Sequence, residues 1–466
     1  MKPQRLFDIL TYRKQTTPQR AVWAVRKGNE WVKIYVDQYI DYVDYVSGFL
    51  LYKGLKPGGK VALISGNRPE WNYVDMGVQQ VGGIVVPIYP TISESDYRYV
   101  LSNSEVSYLV VETELLLGKL KDIIIQQPTL QMVCVINPIK FDSPVVSELQ
   151  ASGREVVQFS DWIRLGQQEV DRDAISQRMQ AIAPDDVATI IYTSGSMGVP
   201  KGVMLTHTNI LTCVYGVSSI PPSHYERAMS FLPLCHVYER MMNYFYQYMG
   251  YETYYAENVG KVVENMNTAK PHIMTAVPRF VEKMYDGIYR KGERLKGLRK
   301  KIFYWSLSLG TKYRLEGNTL WYRMRRNWAD ILVYRQIRES FGGCLEMLVT
   351  GGSAIQPRLA RFFTCVGMAI YEGYGLSETS PVISVSSSGI WGREWGTAGP
   401  PLSGIEVRID DETGEILCRG SNVMKGYYKS PDLTSQVIDS DGWFHTGDTG
   451  AFTEHGCLRI TGRTKT

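Results

Sequence analysis

The sequence predicts an α/β protein built on parallel sheets, with a small antiparallel β region towards its end. Three observations carry that expectation. Short apolar runs rich in β-branched residues alternate with longer segments of helical character through the first half of the chain. A glycine-rich loop directly follows one such run at 187–191. Beyond Pro400 the helical segments give way to closely spaced turns and short β runs.

Residues 60–65 read as a buried strand, and Pro69 opens a helix running towards Gln80, since proline is tolerated at a first helical position. Another β-rich run covers 83–89. Ser93-Glu94-Ser95-Asp96 has the composition of a capped helix start. Short apolar strands follow at 106–111 and 131–136, separated by a helical 114–126. Strands alternating with helices argue for a parallel sheet, in which ligands bind at the carboxyl ends of strands. After Pro400, the runs 405–409 and 415–419 flank the turn sequence Asp410-Asp411-Glu412-Thr413-Gly414 and read as a hairpin. The expected division is an α/β body of two subdomains over 1–400 and a small barrel-like β subdomain over 401–460.

A length of 466 residues has room for two or three domains, and 44% hydrophobic with 21% charged residues is an ordinary globular composition. Seven cysteines without close pairs suggest neither a disulfide framework nor a zinc site, and fit a reducing cytoplasm. The first eight residues lack the apolar core of a signal peptide, and no apolar run approaches the roughly 18 residues of a spanning helix. Net charge is +4, unevenly spread. Residues 290–339 hold 14 Lys and Arg against 4 Asp and Glu, interleaved with Phe303, Tyr304, Trp305, Tyr313, Trp321, Tyr322 and Trp328. Two readings stand: a solvated helical face whose aromatics pack inward, or a basic surface in peripheral contact with an anionic membrane. Nucleic-acid binding has no accompanying motif. The sequence is silent on oligomeric state.

The most informative stretch is Tyr192-Thr193-Ser194-Gly195-Ser196-Met197-Gly198-Val199-Pro200-Lys201-Gly202. Placed after a buried strand, it has what a polyphosphate cradle needs: glycines that let backbone N–H groups approach an anion, hydroxyls that donate further bonds, and a lysine charge. It is not the Walker pattern, because Pro200 precedes the lysine and no Ser or Thr follows it directly.

This stretch resembles the phosphate loop of the adenylate-forming acyl-activating (AMP-binding) superfamily, which includes acyl-CoA synthetases, firefly-type luciferases and peptide-synthetase adenylation domains. Further stretches match in the family's order: Leu232-Pro233-Leu234-Cys235-His236-Val237-Tyr238-Glu239-Arg240, Gly351-Gly352-Ser353-Ala354, 371–381, Thr446-Gly447-Asp448 and Gly462-Arg463. The resemblance implies the large amino-terminal domain of an acyl-CoA synthetase-like fold, with stacked α/β subdomains and a small antiparallel β subdomain. Family members continue past the Gly-Arg pair into a mobile carboxyl-terminal domain, through a hinge at the position of Lys465. By that comparison 461–466 would be a hinge stub, and the domain carrying the adenylation lysine and part of the CoA path would be absent, through truncation or because the chain is an unusual stand-alone module.

The resemblance also implies roles. Thr193, Ser194, Gly195, Ser196, Gly198 and Lys201 would hold the phosphates of ATP. Ser377, where many members carry threonine, would donate to the α-phosphate. Glu378, with Thr193, would bind Mg²⁺. Glu372, Gly373, Tyr374 and Gly375 would lie along the nucleotide, with Tyr374 beside the adenine, and Gly352, Ser353 and Ala354 would line the junction of adenine and acyl group. Asp448 and Arg463 would contact the ribose, and His236 would stand between nucleotide and acyl pocket. Thr193, Lys201, His236 and Glu378 are the residues expected to act in catalysis. The implied chemistry is adenylation of a carboxylate, then attack by coenzyme A on the acyl-adenylate.

The stretch from Leu232 to Arg240 resembles bacterial long-chain fatty acyl-CoA synthetases, as does the basic insert 290–338. The aspartate by which peptide-synthetase domains bind a substrate amine is not found. A long-chain fatty acid is therefore the expected substrate. Another carboxylic acid, transfer to a carrier protein, or a non-catalytic nucleotide- and acyl-binding module remain as alternatives.

Overall fold

A computed structural model describes residues 2–193, 198–389 and 392–464. The apolar runs of the first half become the strands Lys60–Ile64, Ile84–Pro87, Tyr108–Val111 and Met132–Val135, which together with Glu155–Gln158 run parallel. Val187–Thr193 joins them in parallel beside Ile84–Pro87. Lys201–Thr206 then returns antiparallel and completes, with Gly426–Tyr427, an eight-stranded sheet. A second eight-stranded sheet has six parallel inner strands, ordered Ala369–Tyr374, Met347–Thr350, Ile273–Ala276, Arg227–Ser230, Glu252–Tyr255 and Trp23–Lys27. The short strands Ser384–Val385 and Glu30–Ile34 close its two edges antiparallel.

Parallel strands are buried on both faces, and alternate residues reach different cores. Val61 and Leu63 enter a central core, while Ala62 and Ile64 enter an outer one. In the second sheet Ile273 and Met347 point to the same central core, and Met274 and Leu348 to another outer core. The molecule is thus layered: outer helices, sheet, central helices, sheet, outer helices. The central helices include Val36–Tyr52, Pro69–Gln80 and Val237–Tyr248.

Inside that central layer sits a buried polar cluster joining the two halves. Arg240 and Asp75 are at most 1% exposed and form an ion pair through Nη2 and Oδ1. Arg240 Nη1 also donates to Thr189 Oγ1 at 2.6 Å, and its Nε to the Tyr244 hydroxyl at 3.1 Å. Gln79 Nε2 donates to the same hydroxyl at 3.1 Å. Desolvating two charges is unfavourable, so each bond in this cluster offsets a penalty that hydrophobic neighbours alone could not.

The hairpin expected after Pro400 forms between Glu406–Ile409 and Glu415–Arg419. Asp410 Oδ1 accepts the N–H groups of Glu412 and Thr413 at 3.3 and 2.9 Å, and Gly414 supplies the positive φ that the turn requires. Phe444–Phe452 and Leu458–Arg463 extend it to a four-stranded antiparallel sheet. The intervening chain is stitched to the large sheet. Gly426–Tyr427 pairs with Met204 and Val203, and Asn209 Nδ2 donates to the carbonyls of Ser421 and Val423 at 2.9 Å each.

The basic region folds as the end of Pro278–Glu293, then Gly297–Gly310, Leu320–Ala329, a π-helical turn Asp330–Tyr334 and Arg335–Glu339. Its aromatics divide. Phe303, Tyr304, Trp305, Tyr313 and Tyr322 pack against the outer core, whereas Trp321 and Trp328 stay 67% and 62% exposed. Among the described residues no helix is long and apolar enough to cross a membrane.

Candidate active site

The carboxyl ends of parallel strands from both large sheets converge on a cavity of about 610 Å³. Thr193 ends its strand there, and the segments after Ile273–Ala276, Met347–Thr350 and Ala369–Tyr374 supply Val277, Gly351 and Gly375. Thr193, His236, Gly352, Gly373, Tyr374, Gly375, Ser377, Glu378 and Arg463 all line this one space. Gly198 lines an adjoining cavity of about 450 Å³, which Thr193, His236 and Ser377 also border. Ser194, Gly195 and Ser196 lie outside the described residues, as does Lys465.

The described ends of the glycine-rich stretch lie on two neighbouring antiparallel strands. Thr193 pairs with Lys201 across the two strands, so Lys201 begins the returning strand. Its ammonium lies 5.2 Å from the centre of the Tyr427 ring, while the Tyr427 hydroxyl donates to Glu378 Oε1 at 2.8 Å. Tyr427 thus connects loop lysine and glutamate. No local motif marks it; its place follows from the pairing of Gly426–Tyr427 with Lys201–Thr206.

Glu378 sits in the single helical turn Ser377–Thr379. The Thr379 hydroxyl accepts the Leu376 N–H at 2.9 Å, which fixes the entry to the turn. Close packing here demands glycine: a Cβ on Gly375 would lie 1.7 Å from the Pro381 carbonyl oxygen. Among the described residues, Glu378 Oε2 takes no hydrogen bond, and no group of three or more His, Cys, Asp or Glu side chains could hold a metal ion. A lone carboxylate fits Mg²⁺ bound mainly by substrate phosphates and water.

Asp448 is nearly buried and engaged on both oxygens. The Tyr374 hydroxyl donates to Oδ2 at 2.8 Å, and Arg463 Nε to Oδ1 at 2.9 Å. Burial, with the Asp448 charge adding to it, pushes the Tyr374 phenol up, so it stays a donor. A carboxylate has about four acceptor sites, which leaves room for further donors. Glu372, two residues before Tyr374, is half-buried and pushed up to about 7 by desolvation. Gly352 reaches the cavity with a φ of +81°, while Ser353 and Ala354 stand exposed just beyond its lining.

His236 caps the helix Val237–Tyr248. Its Nδ1 accepts the Tyr238 N–H at 3.3 Å, which assigns the ring proton of the neutral imidazole to Nε2. The ring is open to the cleft yet enclosed by protein atoms, and that enclosure lowers its pKa. Tyr89 meets it edge-on at 6.5 Å. Three residues further on, Glu239 faces the same cavity. It accepts from Ser230 Oγ at 2.5 Å and from Thr275 Oγ1, and burial pushes its carboxyl up to about 7. A spacing of three on a helix places it on the His236 side, a signal already present in the motif.

Much of the remaining lining is apolar, including Val217, Leu232, Met241, Met242, Val277, Val349, Val382 and Val385. A narrow space of about 30 Å³ shares Val217, Met242, Val349 and Val385 with it and continues to Phe245 and Ile273.

The family of AMP-binding enzymes matches residues 12–428. The chain belongs to the AMP-binding enzyme family. Among its relatives, long chain acyl-CoA synthetase 6, peroxisomal, of Arabidopsis thaliana is 32% identical over 438 residues, covering 89% of this chain and 59% of that protein. The long-chain-fatty-acid–CoA ligase FadD15 of Mycobacterium bovis is also 32% identical, covering 89% of this chain and 67% of the ligase. The chain therefore spans about three fifths to two thirds of the length of these relatives. In fold, it is similar to the crystal structure of a long-chain-fatty-acid-CoA ligase (FadD1) from Archaeoglobus fulgidus, with a TM-score of 0.75 at 19% identity, over 100% of this chain and 85% of that one. The expected fold class, large parallel sheets with a small antiparallel one, is the one observed, and the chain shares its fold with that structure.

Proposed function

We propose that this chain is the nucleotide- and acyl-binding portion of an ATP-dependent long-chain fatty acid–CoA ligase. The observation that carries the reading is the mixed lining of a single cavity. Thr193, Ser377, Glu378, Arg463 and His236 line it together with Met242, Val349 and Val385, which also border the narrow apolar space beside it, whereas Thr193, His236 and Ser377 border the adjoining cavity that Gly198 lines. A carboxylate whose alkyl chain lies against the apolar residues would present its head to a nucleotide phosphate beside the polar ones.

A carboxylate is a poor acyl donor because oxide would have to leave. Attack of a carboxylate oxygen on the α-phosphorus of ATP forms acyl-adenylate and releases pyrophosphate. The coenzyme A thiolate then attacks the acyl carbon, forming thioester and releasing AMP. Both substrates are anionic, so the site's work is to offset charge, align the reactants and exclude water. Lys201 and the loop hydroxyls would steady the leaving phosphates, and Ser377 would donate to the α-phosphate. Glu378 would hold a magnesium ion, whose charge offsets that of the phosphates. Asp448 and Arg463 would hold the ribose, with Tyr374 keeping Asp448 oriented. Neutral His236 would turn its Nε2–H towards the forming mixed anhydride without titrating. The basic 290–339 region would keep the chain peripheral to a membrane, near its lipid substrate.

The test is calorimetric binding of two non-hydrolysable acyl-adenylate mimics, one with a long acyl chain and one with an acetyl group. Much tighter binding of the long mimic is expected, since burial contributes about 0.8 kcal/mol per methylene. Equal binding would remove the long-chain substrate and leave the adenylate site.

A further inference from the structure

The helix Leu320–Ala329 and the turn after it carry two apolar faces where a surface helix ordinarily has one. The inner face is firmly held. Tyr322, Ala329, Val333 and Ile337 pack on the outer core, the Tyr322 hydroxyl donates to the Leu309 carbonyl at 2.8 Å, and Arg326 donates twice to the Cys365 carbonyl at 3.1 and 2.9 Å. The other face is left largely open by the described residues. Leu320, Trp321, Met324, Trp328, Ile331 and Leu332 are 75%, 67%, 48%, 62%, 66% and 43% exposed. Positions 321, 324, 328 and 331 share one side at helical spacing, and the row continues through the π-helical turn, where the Arg335 N–H bonds back to the Asp330 carbonyl. A contiguous exposed apolar row on a rigid helix marks an interaction site.

The surrounding charge selects the occupant. Arg323, Arg325 and Arg335 are exposed beside the row, within a segment of 14 basic and 4 acidic residues. The acidic groups nearest the row are already paired, Asp330 with Arg338 and Glu339 with Arg335. A second copy would bring two strongly positive faces together. A bilayer with anionic headgroups satisfies both features: indoles and aliphatic chains insert at headgroup level while guanidinium groups meet lipid phosphates and carboxylates. We propose that the outer face of 320–332 is the docking surface by which this chain seats on an anionic lipid bilayer. The proposal rests on the membrane-peripheral reading above and names the face, the anchoring side chains and the lipid charge.

The test is co-sedimentation of the full chain with phosphatidylcholine vesicles, with and without phosphatidylserine. It compares wild type with Trp321→Ser/Trp328→Ser and with Arg323→Glu/Arg325→Glu. Acyl-adenylate-mimic binding in vesicle-free buffer is measured for each protein and reports an intact fold. Wild type should pellet with the phosphatidylserine vesicles, and each double variant about tenfold less, with mimic binding unchanged. Wild type remaining in the supernatant, or variants pelleting as it does, would overturn the proposal. So would self-association of wild type that the tryptophan variant loses, because a second copy would then cover the face. Vesicle binding that follows this pattern in a chain that binds no mimic would support the surface and sink the ligase reading.

Discussion

Glu239 and Glu378 border the same cavity, but the helix Val237–Tyr248 and the turn Ser377–Thr379 present them in opposite ways. Glu239 has both oxygens occupied by protein hydroxyls and a carboxyl pushed up to about 7, and the next residue is locked to Asp75. Glu378 stands on a turn of three residues, with one oxygen taken by Tyr427 and the other without a partner among the described residues. Polar groups lining a site therefore sort by how much hydrogen-bonding capacity they retain. Those already saturated hold the walls in place, and those left open are available to a ligand.

Breaking the helix side should have the largest effect. Arg240→Ala leaves Asp75 charged and buried, and the expected destabilisation is about 3–5 kcal/mol, read from chemical denaturation. An effect no larger than that of a surface substitution would remove the contrast. Next comes pH. The Glu239 carboxyl keeps its proton in the folded chain up to about 7, whereas an ordinary glutamate releases it around 4.5. The folded state thus binds the extra proton, and stability falls as pH rises from 4.5 through 7. Glu239→Gln has no such dependence, so relative to wild type it should gain up to about 3 kcal/mol between pH 5 and pH 8. Parallel pH profiles would show that the carboxylate is accommodated. The smallest change in stability belongs to the turn: Glu378→Gln should stay within about 0.5 kcal/mol of wild type. Its effect should appear instead as about tenfold weaker magnesium-dependent ATP binding, with AMP binding spared. Equal loss of both nucleotides would argue against metal holding.

Much of this layout was legible because it is local. The strand at 60–65, the helix from Pro69 and the hairpin around Asp410 announce themselves through β-branched runs, proline and turn residues, and each forms within a residue or two of its expected bounds. The grouping of Thr193, Tyr374, Ser377 and Arg463 in one cavity follows motifs that could be read separately. What stayed hidden depends on distant partners. Asp75 and Arg240 are 165 residues apart, and nothing near either one signals that both are buried. Tyr427 reaches Glu378 only because two residues of chain leave the small sheet for the edge of the large one. In 320–328, composition could not separate Tyr322, which turns inward, from Trp321 and Trp328, which do not, because that depends on which side of the helix the core occupies.

The Asp448 carboxylate, bridged by Tyr374 from one sheet and Arg463 from another, exists as a feature only once both sheets have formed. The denatured chain offers a nucleotide none of this, so binding and folding are thermodynamically linked. A ligand supplied at a hundred times its dissociation constant adds about 2.7 kcal/mol to the unfolding free energy. Melting temperature thereby becomes an assay of occupancy, one that needs no turnover and ranks candidate acids by the heat the protein survives in their company.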